Sequence, residues 1–187
     1  MRYFGTDNFV GEPVDGYEAP KCLLVRPAAE ALAQIERRLE ARGYGLLAYD
    51  CYRPQRAVDH FVRWAEDTAD VRTKAEHYPD VPKSRLFEEG YIAARSGHSR
   101  GSTIDLTMVR VSPDGSAEPL DMGGPFDFFD PLSHTDAPEV TPAQHANRLR
   151  LRDAMEAGGF ENYADEWWHY TLRDEPYPET YFDVVVR

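Results

Sequence analysis

At 187 residues the chain is long enough to bury a sizeable core, and its 42% hydrophobic and 29% charged residues are those of an ordinary soluble globular protein. A formal net charge of −12 argues against nucleic acid or an anionic membrane as the main partner. No apolar run approaches the roughly 20 residues that span a bilayer, and the first twenty residues lack the zones of a signal peptide, so a cytosolic location is expected. With only Cys22 and Cys51 and no C-x-x-C pattern, free thiols in a reducing compartment are expected too.

Residues 1–20, rich in Gly, Pro, Asp and aromatics, read as an irregular segment wrapped on a body. Cys22–Val25 is a short apolar run and a candidate strand. Pro27 opens a helix that places Ala28, Ala31, Leu32, Ile35 and Leu39 on one face and stops at Gly43. Gly45–Asp50 reads as a mostly buried strand. Pro54 begins a second helix with Val58, Phe61, Val62 and Ala65 on its apolar side.

Residues 70–95 form a long polar connection, of the kind that is often functional. Thr103–Val111 alternates Ile104, Leu106 and Met108 with Thr103, Asp105 and Thr107, the period of a strand. A Pro/Gly/Asp-rich insertion over 112–140 could cover a site. Thr141-Pro142-Ala143-Gln144 is a capping-box start, and the helix it opens should turn Ala146, Leu149 and Met155 inward before ending near Gly158-Gly159. Trp167–Leu172 reads as a last strand before an aromatic tail. The expected architecture is α+β: one domain over 1–187, with a small, mainly antiparallel sheet, packed helices and long loops.

Two patches carry chemistry. SGHSRGSTID (96–105) sets His98 among glycines and serines and Asp105 between Ile104 and Leu106; DEWWHY (165–170) sets His169 three residues after Glu166. A lone histidine is most often a surface or satisfied core residue, which is how His60 and His145 read on their helices. His98 and His169 differ in having acidic company. A catalytic zinc takes three protein ligands and keeps one position open, and His98, Asp105 and His169 make such a set of two imidazoles and a carboxylate, with no cysteine as in closed structural sites. Glu166 would stand beside the metal as the acid/base for a bound water. Ser96 and Ser99 lack a base to make either a nucleophile, and Cys51 reads as a small buried hydrophobe.

SGHSRGSTIDLTM fits the S-x-H-x-x-G-x-x-x-D signature, and DEWWHY the E-x-x-H signature, of the zinc D-alanyl-D-alanine peptidases. With GYGLLAYDCYRPQRAV, MGGPFDFFD and EWWHYTLRDEPYPETYFD, the chain most resembles the VanX-type D-alanyl-D-alanine dipeptidases, from about Tyr3 to its end. The resemblance implies one Zn²⁺ per chain on His98, Asp105 and His169, Glu166 as catalytic acid/base, and a small D,D-dipeptide as substrate. It also gives roles to residues that are bland by themselves. Arg53, in its Y-R-P context, would otherwise be a surface arginine and becomes the oxyanion stabiliser; Asp127, otherwise a loop turn, becomes the ammonium binder, with Ser96 and Tyr3 as further pocket residues. It implies depletion of the cell-wall precursor bound by vancomycin-type antibiotics, or dipeptide turnover. Two rival readings are a carboxypeptidase acting on longer cell-wall peptides and a zinc-binding module without catalysis.

Overall fold

The computed structural model describes residues 1–187. Its elements run α1 (Arg26–Glu40), β1 (Tyr44–Asp50), α2 (Gln55–Glu66), the single-turn α3 (Lys74–His77), β2 (Thr103–Val111), β3 (Ala117–Pro119), α4 (Pro142–Glu156), β4 (Phe160–Asn162) and β5 (His169–Leu172). The architecture is α+β with an entirely antiparallel sheet in the order β1-β2-β5-β4. β2 is its spine. One edge of β2 pairs with β1; the other is shared by β5, opposite Thr103–Asp105, and β3, opposite Val109–Val111.

The alternation in β2 separates two faces. Ile104, Leu106 and Met108 are wholly buried, and Ile104 and Leu106 share a groove with Leu32 and Ala33 of α1. Asp105 and Thr107 are buried as well, on the opposite face. There the cover is aromatic: Tyr49 of β1 stacks on Phe126 at 4.6 Å, and Phe126 meets Tyr3 at 6.4 Å and Trp168 at 5.4 Å. The irregular N-terminal segment therefore does wrap a body, and Tyr3, 1% exposed, is part of the core.

α1 buries Ala28, Ile35 and Leu39 and half-buries Ala31 and Leu32, as its spacing requires. α2 turns Ala57, Val58, Phe61, Trp64 and Ala65 inward. α4 starts on the capping box, with Thr141 accepting from the Gln144 backbone and Gln144 accepting from the Thr141 backbone. Its inner face is not the expected one: Ala146 is exposed and Leu149 half-buried, while Arg148, Leu151 and Met155 are buried. The Arg148 guanidinium donates to the carbonyls of Met122 (2.6 Å), Leu132 (2.9 Å) and His134 (2.6 Å). Three carbonyl partners satisfy Nε and one terminal nitrogen of this buried arginine, while its other terminal nitrogen has no partner, and the bonds tie the 112–140 insertion to α4.

Three further expectations are corrected. Cys22–Val25 is extended but not a strand: Tyr52 donates to the Leu23 carbonyl and Val25 to that of Gly101, isolated bonds to two different loops. The last strand begins at His169, because Trp167 and Trp168 lie in a turn and are both buried. Cys22 and Cys51 are not free thiols; they form a disulfide closing a separation of 29 residues. Proximity across a fold, invisible in Cys spacing, decides such a pairing. No helix is long and apolar enough to cross a membrane.

Candidate metal centre

Asp105 and His169 are register partners across β2 and β5, so the sheet sets them side by side. His98 arrives from a 3₁₀ turn over Gly97–Arg100 that leads directly into β2. Ser96 caps this turn by accepting from the His98 backbone N–H at 3.2 Å, and Gly101 ends it at φ 77°, a left-handed conformation costly for other residues. A Cβ on Gly101 would also come within 3.1 Å of the Val25 side chain. The small residues around His98 thus make a tight, capped turn that aims one imidazole at the sheet.

The three side chains converge. Nε2 of His98 lies 3.2 Å from Oδ2 of Asp105, Nδ1 of His169 lies 3.0 Å from its Oδ1, and the two ring nitrogens are 3.3 Å apart. His98 and Asp105 are 1% and 2% exposed, and His169 is half-buried. His98 donates from Nδ1 to the Cys51 carbonyl at 2.7 Å, which fixes the tautomer and leaves the Nε2 lone pair facing its partners. Oδ1 of Asp105 has no aligned hydrogen-bond donor despite its closeness to His169. An unsatisfied buried acceptor beside two ring nitrogens, all ligand atoms within 4.8 Å of one another, is a donor set waiting for a cation. Electrostatics agree. Burial works against charge on both groups, yet the carboxylates of Asp105 and Glu166 hold the His169 imidazolium up to about 10, and the two imidazoles hold Asp105 well below the usual range. Two nitrogens and one carboxylate oxygen suit zinc.

The other expected residues line the same cleft of about 290 Å³: Glu166, Arg53, Ser96, Asp127 and Tyr3. Oε2 of Glu166 is 3.3 Å from Nδ1 of His169. Arg53 donates from Nε to Asp50 at 2.9 Å, approaches Asp105 Oδ2 at 3.6 Å, and reaches Ser96 Oγ at 3.5 Å. Its guanidinium lies over the rings of Tyr3 and Phe61, each 5.0 Å away. In the same cleft, Tyr3 donates its hydroxyl to Asp127 Oδ2 at 2.9 Å. Burial, then the negative charge of Asp105, pushes the Asp127 carboxyl well above its ordinary range. Asp127 has φ 57°, the only non-glycine with positive φ in the chain. Such backbone gathers at functional sites, and Asp tolerates it better than most residues.

Two supporting residues escape a reading of the sequence alone. Asp50, fully buried, accepts from Tyr17 at 2.7 Å and from Arg53, and stands 3.5 Å from Nδ1 of His98. The ring of His77 bonds the Asp127 carbonyl at 2.9 Å. An acid closing an apolar strand three residues before Arg53 was the only local sign of the first; nothing local marks the second.

A sheet-borne Asp/His pair, a second histidine from a capped turn and a carboxylate beside them are a donor set of the kind a metallopeptidase uses. The model of the D-ala-D-ala dipeptidase family matches residues 1–187, and the chain belongs to that family. It is 51% identical over 185 residues to the D-alanyl-D-alanine dipeptidase of Streptomyces coelicolor, covering 99% of this chain and 90% of that protein. It is 46% identical over 185 residues to that of Enterococcus faecalis, with the same coverage of 99% and 90%. Among solved structures it resembles the vancomycin-resistance D,D-pentapeptidase VanY in complex with Zn(II), at TM-score 0.47 and 12% identity over 83% of this chain and 76% of that one.

Proposed function

We propose that the protein hydrolyses the free dipeptide D-alanyl-D-alanine with one zinc ion held by His98, Asp105 and His169. The observation that carries this reading is the arrangement of three groups along one cleft: the ligand cluster, Glu166 at 3.3 Å from His169, and a buried Asp127. Zinc, when bound, supplies a Lewis acid for the scissile carbonyl and acidifies water.

The remaining work falls to side chains. Glu166 takes a proton from the attacking water as the new C–O bond forms, and returns it to the departing amine as the peptide C–N bond then breaks. Arg53, preorganised by Asp50, supplies positive charge where the carbonyl oxygen gains negative charge. Asp127, oriented by Tyr3, accepts the substrate ammonium, with Ser96 as a further pocket residue that Arg53 reaches at 3.5 Å. A buried carboxylate in the same cleft as the ligand cluster suits a free amino terminus and opposes a longer peptide there. This favours the dipeptidase over the carboxypeptidase reading, and the intact Glu166 and Arg53 favour an enzyme over a silent zinc module.

Removal of the free dipeptide would starve a cell of the cell-wall precursor that vancomycin-type antibiotics bind, and we place this activity in the cytosol, where that dipeptide is made. The test is D-alanine release by purified, metal-analysed protein. Turnover of D-alanyl-D-alanine that is lost to a chelator, restored by zinc and absent with the N-acetylated dipeptide is the expected result. Bound zinc with no release from the dipeptide overturns the proposal; equal turnover of the N-acetylated form selects the carboxypeptidase.

A further inference from the structure

A free dipeptide has two charged ends, and only one has a counter-charge so far. The cleft is lined by two arginines, Arg53 and Arg95. Arg53 is engaged by Asp50 at 2.9 Å, by Asp105 at 3.6 Å and by Ser96 at 3.5 Å, so its guanidinium is bound to the centre of the site. Arg95 is different: it is exposed, faces no carboxylate within ion-pair distance, and rests its guanidinium on the Tyr181 ring at 5.0 Å. An exposed guanidinium with no carboxylate partner thus lines the cleft.

Its position is set by an ordered chain of contacts. Asp127 is bonded by Tyr3, Arg53 lies over the Tyr3 ring, Arg53 reaches Ser96, and Arg95 adjoins Ser96 on the side of Tyr181. The Gln55 amide bonds the carbonyl of Ala94 at 3.0 Å, and the Gln55 backbone N–H bonds that of Phe182, so α2 and the C-terminal tail fix the segment from which Arg95 projects. Arg95 and Asp127 thus line one cleft, with Arg53 and the proposed metal ligands in the same lining. An extended residue spans roughly 3.3–3.6 Å, so a dipeptide with its ammonium at Asp127 and its carbonyl at the ligand cluster still has a free carboxylate to place in the cleft, and Arg95 is the cleft arginine that no carboxylate already engages.

We infer that Arg95 is the anchor for the free carboxylate of the dipeptide, and that it makes the site selective for substrates ending one residue beyond the cleaved bond. This rests on the dipeptidase reading above. The Tyr181 ring holds the guanidinium in place, which lowers the entropy lost when the long side chain binds an anion, and the planar fork matches a carboxylate. Arg95 touches substrate but no reacting bond, so its loss should appear in KM and spare kcat.

The experiment compares D-alanyl-D-alanine with D-alanyl-D-alaninamide, which keeps the ammonium and the scissile bond but carries no carboxylate. Wild type, Arg95→Gln and Arg95→Lys are assayed at equal bound zinc. The expected wild-type preference for the acid in kcat/KM is roughly tenfold or more, the size of a charge-assisted contact. Arg95→Gln should abolish that preference by raising KM for the acid, with kcat and all amide parameters unmoved; Arg95→Lys should keep part of it. A wild type that treats acid and amide alike, or an Arg95→Gln variant that discriminates as well as wild type, overturns the inference and leaves the dipeptidase reading intact. If wild type with bound zinc cleaves neither compound, the dipeptidase reading fails and takes this role of Arg95 with it.

Discussion

The backbone carbonyl of Cys51 accepts a 2.7 Å hydrogen bond from Nδ1 of His98, while the sulfur of the same residue is joined to Cys22. The covalent cross-link thus ends on the residue whose carbonyl orients a proposed metal ligand. Cys22 is exposed and Cys51 wholly buried, so the bond fastens a surface segment to the floor of the site.

Replacing both cysteines with alanine is expected to cost roughly 3–4 kcal/mol in urea unfolding, the chain-entropy value for a loop of this length. It should also weaken zinc binding by about 10- to 100-fold, the usual effect of loosening a partner of a ligating histidine. Competition with a zinc chelator reads the second effect. Unchanged affinity would mean that the cross-link serves stability alone. Because disulfides are rare in reducing compartments, alkylation of intact cells to trap free thiols also checks the proposed cytosolic location.

Glu166→Ala should lower kcat by about 10²- to 10⁴-fold, the span of general acid–base catalysis, while one zinc stays bound. Glu166 sits 3.3 Å from a ligand nitrogen of His169, close enough that ligation is the rival role. Metal analysis of the variant separates them, since loss of zinc along with activity makes Glu166 a ligand.

For Arg53, lysine is the sharper substitution. One guanidinium edge holds Asp50 at 2.9 Å while the rest of the fork lies towards Asp105 and Ser96. A point ammonium cannot do both. Arg53→Lys is expected to reduce kcat by about 10²- to 10³-fold with a smaller change in KM. A loss confined to KM would assign Arg53 to ground-state binding instead.

Asp127→Asn should separate stability from activity. Burial raises the carboxyl of Asp127 in the folded state above its value in the unfolded chain, so the native state holds that proton more tightly. Its contribution to stability therefore falls as pH rises from about 4 through the raised folded value. Asparagine never ionises, tolerates the φ of 57° and can still accept from Tyr3. In metal-free protein the variant should melt higher than wild type near pH 8, with the difference shrinking towards pH 4, and its dipeptidase activity should collapse. A Tm difference independent of pH would show that the Asp127 charge carries no such cost.

What could be read along the chain were features whose cause is local. The strand Thr103–Val111 declared itself because side chains two apart share a face, and the α4 start because Thr141 and Gln144 exchange bonds within one turn. The inner face of α4 did not. Arg148 is buried in preference to Ala146 because three carbonyls from a distant loop receive it, and hydrophobicity alone pointed elsewhere.

The same division runs through the site. Residue chemistry and spacing nominated His98, Asp105 and His169 as ligands with Glu166 beside them, since imidazoles and carboxylates are what a zinc takes and these stood in unusual company. Resemblance alone, and no local rule, raised Arg53 and Asp127 above ordinary surface and loop residues. That the three ligands meet was decided by the antiparallel register of β2 and β5 and by the turn before β2. The Cys22–Cys51 bond, the buried Asp50 under Arg53 and the free guanidinium of Arg95 were likewise settled by tertiary structure. Each depends on a distance between segments remote in sequence, and such distances are set by packing the whole chain at once.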